Sequence, residues 1–212
     1  MRNEIFDCKG CKRIAIMGGT FDPVHYGHLV TAEAVRDKFN IERVLFVPTG
    51  NPPHKNNKKV TPSEHRYLMT VLATVTNSYF DVSRIEIDRT GYTYTIDTIN
   101  ELKKFVSEDT IIYFITGADA VHQILAWKDT EKLFNICEFI AVTRPGYNKD
   151  ELFREVEGLK SRFESKIHFL EVPSLDISSS DIRNRIKEGN SIKYMLPEEV
   201  ENYIYKFELY KA

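Results

Sequence analysis

The sequence predicts an α/β fold built on a parallel sheet, and three features carry that prediction. Arg13 to Met17 and Arg43 to Val47 are short apolar runs rich in β-branched residues, and His28 to Phe39 between them repeats apolar residues at helical spacing. Strand, helix and strand thus follow one another within ~35 residues, which is a βαβ unit and requires a parallel pair. Two further apolar runs, Ile111 to Thr116 and Cys137 to Val142, have the near-continuous hydrophobicity of strands covered on both faces. A chain of 212 residues has room for one domain with a sizeable core. We assign residues 13–212 to that domain and residues 1–12 to an N-terminal extension.

Taken in order, the first strand is stopped by Gly18-Gly19, where a backbone could pass close to a ligand. Thr20 to Gly27 forms a turn that Asp22-Pro23 helps to fix. In the helix that follows, Leu29, Ala32, Val35 and Phe39 share one side while Glu33, Asp37 and Lys38 lie on the other. His25 and His28 are three residues apart at its start, so both imidazoles project to one side beside helical N–H groups with no intrahelical partner. The helix dipole, those amides and two ring donors make this a place for an anion, and a phosphate suits it.

Pro48 closes the second strand, and the loop from Thr49 to Val60 carries His54, Lys55, Lys58 and Lys59 among turn formers. Thr61-Pro62-Ser63-Glu64 reads as a capping box with proline at the first helical position. The helix runs to about Asn77 with Leu68, Val71, Leu72 and Val75 as its packing side, and His65 and Arg66 are read as surface residues. Asp81 to Asp88 alternates as a half-exposed strand does, and Gly91 to Thr98 leads into a helix through Phe105. Beyond Ile111 to Thr116, the lone Trp127 reads on its own as a core residue. Asp119 and His122 lack a third ligand and make a poor metal site. Arg144 follows the strand that ends near Val142; it could reach a ligand or simply occupy a surface turn. A charged amphipathic helix is expected over residues 150–163, a strand over Ile167 to Val172, a helix from the serines at 178–180 to Gly189, and a last helix from Pro197.

Composition excludes several function classes. Net charge is -2 and the pI about 6.3, so no general nucleic-acid or membrane surface is expected. No apolar stretch approaches the ~20 residues that span a bilayer, and the N-terminus lacks a signal-peptide core, which points to a cytoplasmic location. Three cysteines are too few for a disulfide framework, and Cys8-x-x-Cys11 has no second pair at a zinc spacing. Cys137 reads as a small core residue. The Gly-x-Gly-x-x-Gly fingerprint is absent, so a redox NAD-binding domain is excluded despite the related topology.

The run Gly18-Gly19-Thr20-Phe21-Asp22-Pro23-Val24-His25-Tyr26-Gly27-His28 resembles the GxFxPxHxGH signature of the HxGH-motif nucleotidyltransferase superfamily, in the form found in bacterial nicotinate-nucleotide adenylyltransferases. Later segments resemble that family in the same order: Asn51-Pro52-Pro53-His54-Lys55, Thr93 to Thr98, Gly117-Ala118-Asp119 with Trp127, and Ile177-Ser178-Ser179-Ser180-Asp181-Ile182-Arg183. The resemblance implies a Rossmann-like doubly wound parallel sheet of the nucleotidyltransferase type. It implies transfer of AMP from ATP to nicotinate mononucleotide, forming nicotinate adenine dinucleotide and pyrophosphate, with Mg²⁺ arriving on ATP and no metal held by the chain alone. On this pattern His25, His28 and Arg183 are catalytic, and ATP is bound by Gly18, Gly19, Thr20, Phe21, His25, His28, Gly117, Asp119, Ile177, Ser178, Ser179, Ser180 and Arg183. The mononucleotide is assigned to Asn51, His54, Lys55, Thr95, Ile96, Trp127 and Lys128, with the pyridine stacked on Trp127. Ser180 replaces the family's Thr and Lys128 its usual aromatic or His. The rival readings are nicotinamide-mononucleotide or phosphopantetheine adenylyl transfer, and a non-catalytic adenine-nucleotide sensor.

Overall fold

Among the described residues six strands form one sheet, and every pairing within it is parallel. In the computed structural model residues 8–51, 60–143, 157, 166–173 and 175–211 are described, without the side chains of 119, 120 and 122. The strands are β1 (Arg13–Gly19), β2 (Arg43–Pro48), β3 (Phe80–Val82), β4 (Ile111–Gly117), β5 (Glu138–Thr143) and β6 (Ile167–Glu171). The helices are α1 (Tyr26–Lys38), α2 (Ser63–Thr74), α3 (Thr95–Leu102), α4 (Thr130–Ile136), α5 (Ser179–Lys187) and α6 (Glu198–Lys206), with a 3₁₀ helix over Ala118–Ala126. The chain moves outward from β1 to β2 and β3, returns to lay β4 on the other side of β1, and moves outward again. That reversal leaves a crevice at the carboxyl ends of β1 and β4, where a doubly wound sheet binds ligands.

Alternation along the central strands sorts the core into two layers. Ile14, Ile16, Leu45, Val47 and Phe114 face one side, where α3, the 3₁₀ helix and α4 contribute Ile96, Ile99, Val121, Ile124 and Leu133. Ala15, Met17, Val44, Phe46 and Ile115 face the other, covered by Ala32 and Val35 of α1, Met69 and Ala73 of α2, Ile182 and Ile186 of α5, and Val200 and Ile204 of α6. The face expected for α1 is thus the buried one, and Leu29 and Phe39 pack at its margin.

Three local expectations are corrected. The buried side of α2 is Arg66, Met69, Thr70, Ala73 and Thr74, whereas Leu68 is 42% and Val75 69% exposed. Thr70 and Thr74 satisfy their hydroxyls on the carbonyls four residues back, at 2.8 and 2.9 Å, and so present only methyl groups to the core. Pro62 stands at the N-cap rather than inside the helix, with no side-chain cap bond, so the capping box does not form. The strand expected over 81–88 is only Phe80–Val82, because the chain then turns, with the Asp88 amide donating to the Arg84 carbonyl. At the N-terminus Cys8 is buried, bonded to Cys11, and bridged to Val106, which ties this segment to the layer containing α3. Of the helix expected at 150–163 only Glu157 is described, and it is helical; the residues His54, Lys55, Lys58, Lys59 and Arg144 lie outside the described residues.

The inward and outward sides of α2 are separable by mutation. Met69→Ala is expected to lower stability by about 2–5 kcal/mol, and Val75→Ser to change it by less than about 0.5 kcal/mol. Urea unfolding midpoints check both, and equal losses would contradict the observed face.

Candidate active site

The site begins where β1 ends. His25 is the N-cap of α1 in an extended conformation, and its backbone N–H donates to Nδ1 of His28 at 3.2 Å. An imidazole that accepts at Nδ1 carries its proton on Nε2, so this bond leaves His28 neutral with one N–H donor. The two rings stand 3.8 Å apart between centroids, and the buried Phe21 ring is T-shaped to His28 with centroids 5.1 Å apart. Although His28 opens onto the cavity, protein encloses the rest of the ring. Burial first, and the neighbouring His25 second, hold its pKa down to about 3.

A second helix start abuts the first. Ser178 caps α5 by accepting the Asp181 amide at 3.1 Å, the Ser179 hydroxyl donates to the Pro23 carbonyl at 2.8 Å, and Arg183 donates to the Asp22 carbonyl at 2.6 Å. The Arg183 guanidinium also reaches the Ser180 hydroxyl at 3.3 Å. Gly27 suits the close approach there, because a Cβ would lie 3.0 Å from the His25 ring and press on it, while the Ile177 carbonyl is 3.8 Å away in ordinary contact. The Ser179 hydroxyl and the Arg183 guanidinium therefore tie α5 to the histidine loop. The opening amides of α5 have no acceptor within the helix, and with the dipole they favour an anion between the two helix starts.

The surface position expected for Arg66 is corrected, because the residue is 2% exposed. Its guanidinium donates to three carbonyls, Thr20 at 2.7 Å, Thr49 at 2.7 Å and Thr61 at 2.9 Å, and so binds together the loops after β1 and β2 and the start of α2. Burial lowers its pKa and the Asp22 carboxylate opposes that. Asp22 is itself a hub, accepting from the Thr61 amide at 3.3 Å and the Tyr210 hydroxyl at 2.8 Å. Burial and the adjacent Asp22 both raise the Tyr210 pKa. Nothing in sequence spacing separates Arg66 from a solvated first-turn arginine.

A cavity of about 950 Å³ runs over the carboxyl ends of the central strands. Gly18, Gly19, Thr20, His25, His28, Gly117, Ile177, Ser178 and Ser179 line it, as do Thr95, Trp127 and Lys128. Phe21, Ser180 and Arg183 stand behind or beside this wall. Asn51 is at the rim, where its carbonyl accepts the Thr93 amide at 3.0 Å. Ile96 points into the core, so only its backbone can serve a ligand. A side chain at Gly117 would meet nothing within 4 Å, so close packing does not demand glycine there. The Asp119 side chain is outside the described residues. The cavity has two halves, one on each face of the sheet. His25, His28 and the start of α5 belong to one, and Tyr94, Thr95 and Trp127 to the other.

Trp127 is both a packing residue and a wall, edge-on to Phe114 at 5.6 Å while lining the cavity. Lys128 Nζ pairs with Asp97 at 3.2 Å and lies 4.6 Å from the centre of the Tyr94 ring. Glu86, which sequence reading passed over, is a buried carboxylate on the same wall. Among the described residues no group of three His, Cys, Asp or Glu side chains could hold a metal ion. No helix among them is long and apolar enough to cross a membrane.

A 3-2-1-4-5-6 parallel sheet with two helix starts and an imidazole pair over its switch point defines an α/β nucleotidyltransferase. Residues 16–185 match the family described as Cytidylyltransferase-like. A protein of Thermoanaerobacter sp. named "Probable nicotinate-nucleotide adenylyltransferase" is 59% identical over 199 residues, 94% of each chain, and one of the same name from Moorella thermoacetica is 53% identical over 94% of this chain and 92% of its own. The chain belongs to the nicotinate-nucleotide adenylyltransferase family of these nucleotidyltransferases. A solved structure of Plasmodium falciparum nicotinic acid mononucleotide adenylyltransferase complexed with NaAD superposes with a TM-score of 0.73 at 25% identity, over 94% of this chain and 97% of that one.

Two outcomes follow for the site. Arg66→Lys is expected to lower stability by about 2–4 kcal/mol in urea unfolding, because a point charge cannot satisfy three carbonyls in a planar fork; a loss under about 0.5 kcal/mol would remove its bracing role. In the free protein the His28 ring is expected to stay neutral above about pH 5, and its NMR shifts should move only toward pH 3. Binding a polyanion favours the charged ring and should raise that midpoint. A midpoint near 6.5 without ligand would show the ring to be solvated.

Proposed function

We infer that this chain transfers the AMP of ATP to nicotinate mononucleotide, yielding nicotinate adenine dinucleotide and pyrophosphate. The observation that carries this reading is the tie between the loop leading into the imidazole pair and the α5 start, with the aromatic half of the cavity on the opposite face of the sheet. One half thus offers donors to a triphosphate and the other offers a ring-stacking wall, and they meet over the end of β1. The names of the relatives at 59% and 53% identity support the same reaction.

The chemistry asks little of the protein beyond placement. A phosphate oxygen of the mononucleotide, largely dianionic at pH 7 because its second pKa is ~6, attacks the α-phosphorus of ATP. The bond from that phosphorus to the bridging oxygen breaks, and its electron pair leaves on pyrophosphate. No proton must be removed and no covalent enzyme intermediate is needed, so the rate gain comes from alignment and charge stabilisation. We assign His28 and His25 to the α-phosphate and bridging oxygens. The amides opening α5, with Ser179, Ser180 and Arg183 around them, receive the pyrophosphate; Arg183 would have to share its Asp22 carbonyl bond to do so. On the other face Trp127 stacks the pyridine, and the opening amides of α3 at Thr95 and Ile96, with Lys128 beside them, meet its carboxylate. Mg²⁺ would come with ATP and neutralise phosphate charge while held by phosphates and water.

Purified protein given ATP, Mg²⁺ and either the acid or the amide mononucleotide is expected to release pyrophosphate at least about 10-fold faster with the acid, and preference for the amide would overturn the substrate. With the acid, His28→Ala should lower kcat by about 100- to 1,000-fold with a milder loss of ATP binding. Unchanged turnover would remove the role given to that ring.

A further inference from the structure

One part of the cavity wall has the wrong chemistry for a phosphate. Glu86 is 9% exposed and lines the cavity, and a buried carboxylate facing two polyanions raises the cost of binding unless it meets a donor. Its known partners leave capacity: the Thr98 hydroxyl donates at 2.8 Å and the Gly50 amide lies beside it. Arg89 is close but spends its guanidinium on Thr98 and on Glu101 at 2.7 Å. The Thr93 hydroxyl is next to Glu86 at a geometry that completes no hydrogen bond, and the Thr49 hydroxyl is likewise buried with none. Both threonines line the cavity. Such groups in a folded protein generally face a ligand or water.

Their location narrows the ligand. The Thr49 amide donates to the Gly19 carbonyl at 2.8 Å, which sets Thr49 beside the end of β1 and the phosphate half. Thr93 directly precedes Tyr94 and Thr95, which belong to the ring-stacking half. Glu86, Thr49 and Thr93 thus occupy the wall between the two. A mononucleotide whose phosphate approaches β1 and whose pyridine lies by Trp127 has its sugar at that height. On nicotinate mononucleotide the ring carries no N–H and the phosphate is largely dianionic, so the 2′ and 3′ hydroxyls are its only hydrogen-bond donors of consequence.

Resting on the functional reading above, we propose that Glu86, with Thr49 and Thr93, binds the ribose hydroxyls of the acceptor mononucleotide and makes the enzyme select a ribosyl over a deoxyribosyl acceptor. The carboxylate accepts from the sugar, and the threonine hydroxyls can donate to or accept from the neighbouring oxygen. Binding of ATP does not use this wall.

The test measures pyrophosphate release at saturating ATP with nicotinate mononucleotide and its 2′-deoxy and 3′-deoxy forms, for the unaltered enzyme, Glu86→Gln and Thr93→Val. The unaltered enzyme is expected to lose about 10-fold or more in kcat/KM on at least one deoxy acceptor, mainly through KM. Glu86→Gln should lose about as much on the full substrate, lose little more on that deoxy form, and keep its KM for ATP within about twofold. A merely structural carboxylate would instead give penalties that multiply. Equal use of both deoxy acceptors by the unaltered enzyme overturns the proposal without any variant, which covers the case in which Glu86→Gln does not fold, and Thr93→Val then repeats the cycle. Multiplying penalties, or a raised KM for ATP, overturn it as well. No pyrophosphate from the full substrate would defeat the functional reading itself, an outcome distinct from turnover that ignores the sugar.

Discussion

The bracing of three carbonyls by one buried guanidinium is the constraint on which the site depends. A parallel sheet delivers its loops to one edge, but loops are the least ordered parts of a fold and carry backbone groups that still need partners. Arg66 meets both needs. It enters the space between the loops after β1 and β2, satisfies Thr20, Thr49 and Thr61, and replaces three weak points with one rigid plane. Asp22 complements it from the histidine loop, receiving the Thr61 amide and the Tyr210 hydroxyl on its carboxylate while its carbonyl receives Arg183. The C-terminal segment, α2 and α5 are thereby fastened to the same few residues.

That fastening explains how a site for two polyanions is made with so little formal positive charge. His28 is neutral, the helix starts contribute partial charges, and Arg183 stands beside the cavity rather than across it. Fixed dipoles of this kind do not collapse onto the ligand, and in a partly enclosed cavity each donor is worth more than in water. The cost is geometric, since the donors are useful only if two helices from distant parts of the chain start within contact of each other. The bonds of Ser179 to Pro23 and Arg183 to Asp22 span more than 150 residues of sequence and provide that placement.

The sheet contributes separation as well as support. Alternating residues of β1 and β2 feed two independent cores, and each core carries one half of the cavity to the common edge. The imidazoles rest on the layer containing α1 and α5, the aromatic wall on the layer containing α3 and the 3₁₀ helix, and the polar strip at Glu86 lies where they adjoin.

Elements whose signal is local were legible in the chain. Strand-helix-strand periodicity specified the parallel α/β class, and histidines three apart at a helix start specified that both imidazoles stand together over the cavity, because spacing along a helix dictates which side chains share a side. The folded chain alone decided the rest. The side of α2 that is buried follows from where Arg66 must reach, not from Leu68 or Val75, and threonines that hydrogen-bond their own helix pass for apolar residues only once packed. Glu86 sits in a stretch whose alternation suggests a strand, and only the turn after β3 and the position of α3 bring it to the cavity. Periodicity reports how a residue relates to its own helix or strand; partnership between residues far apart in the chain depends on three-dimensional placement, which no local pattern encodes.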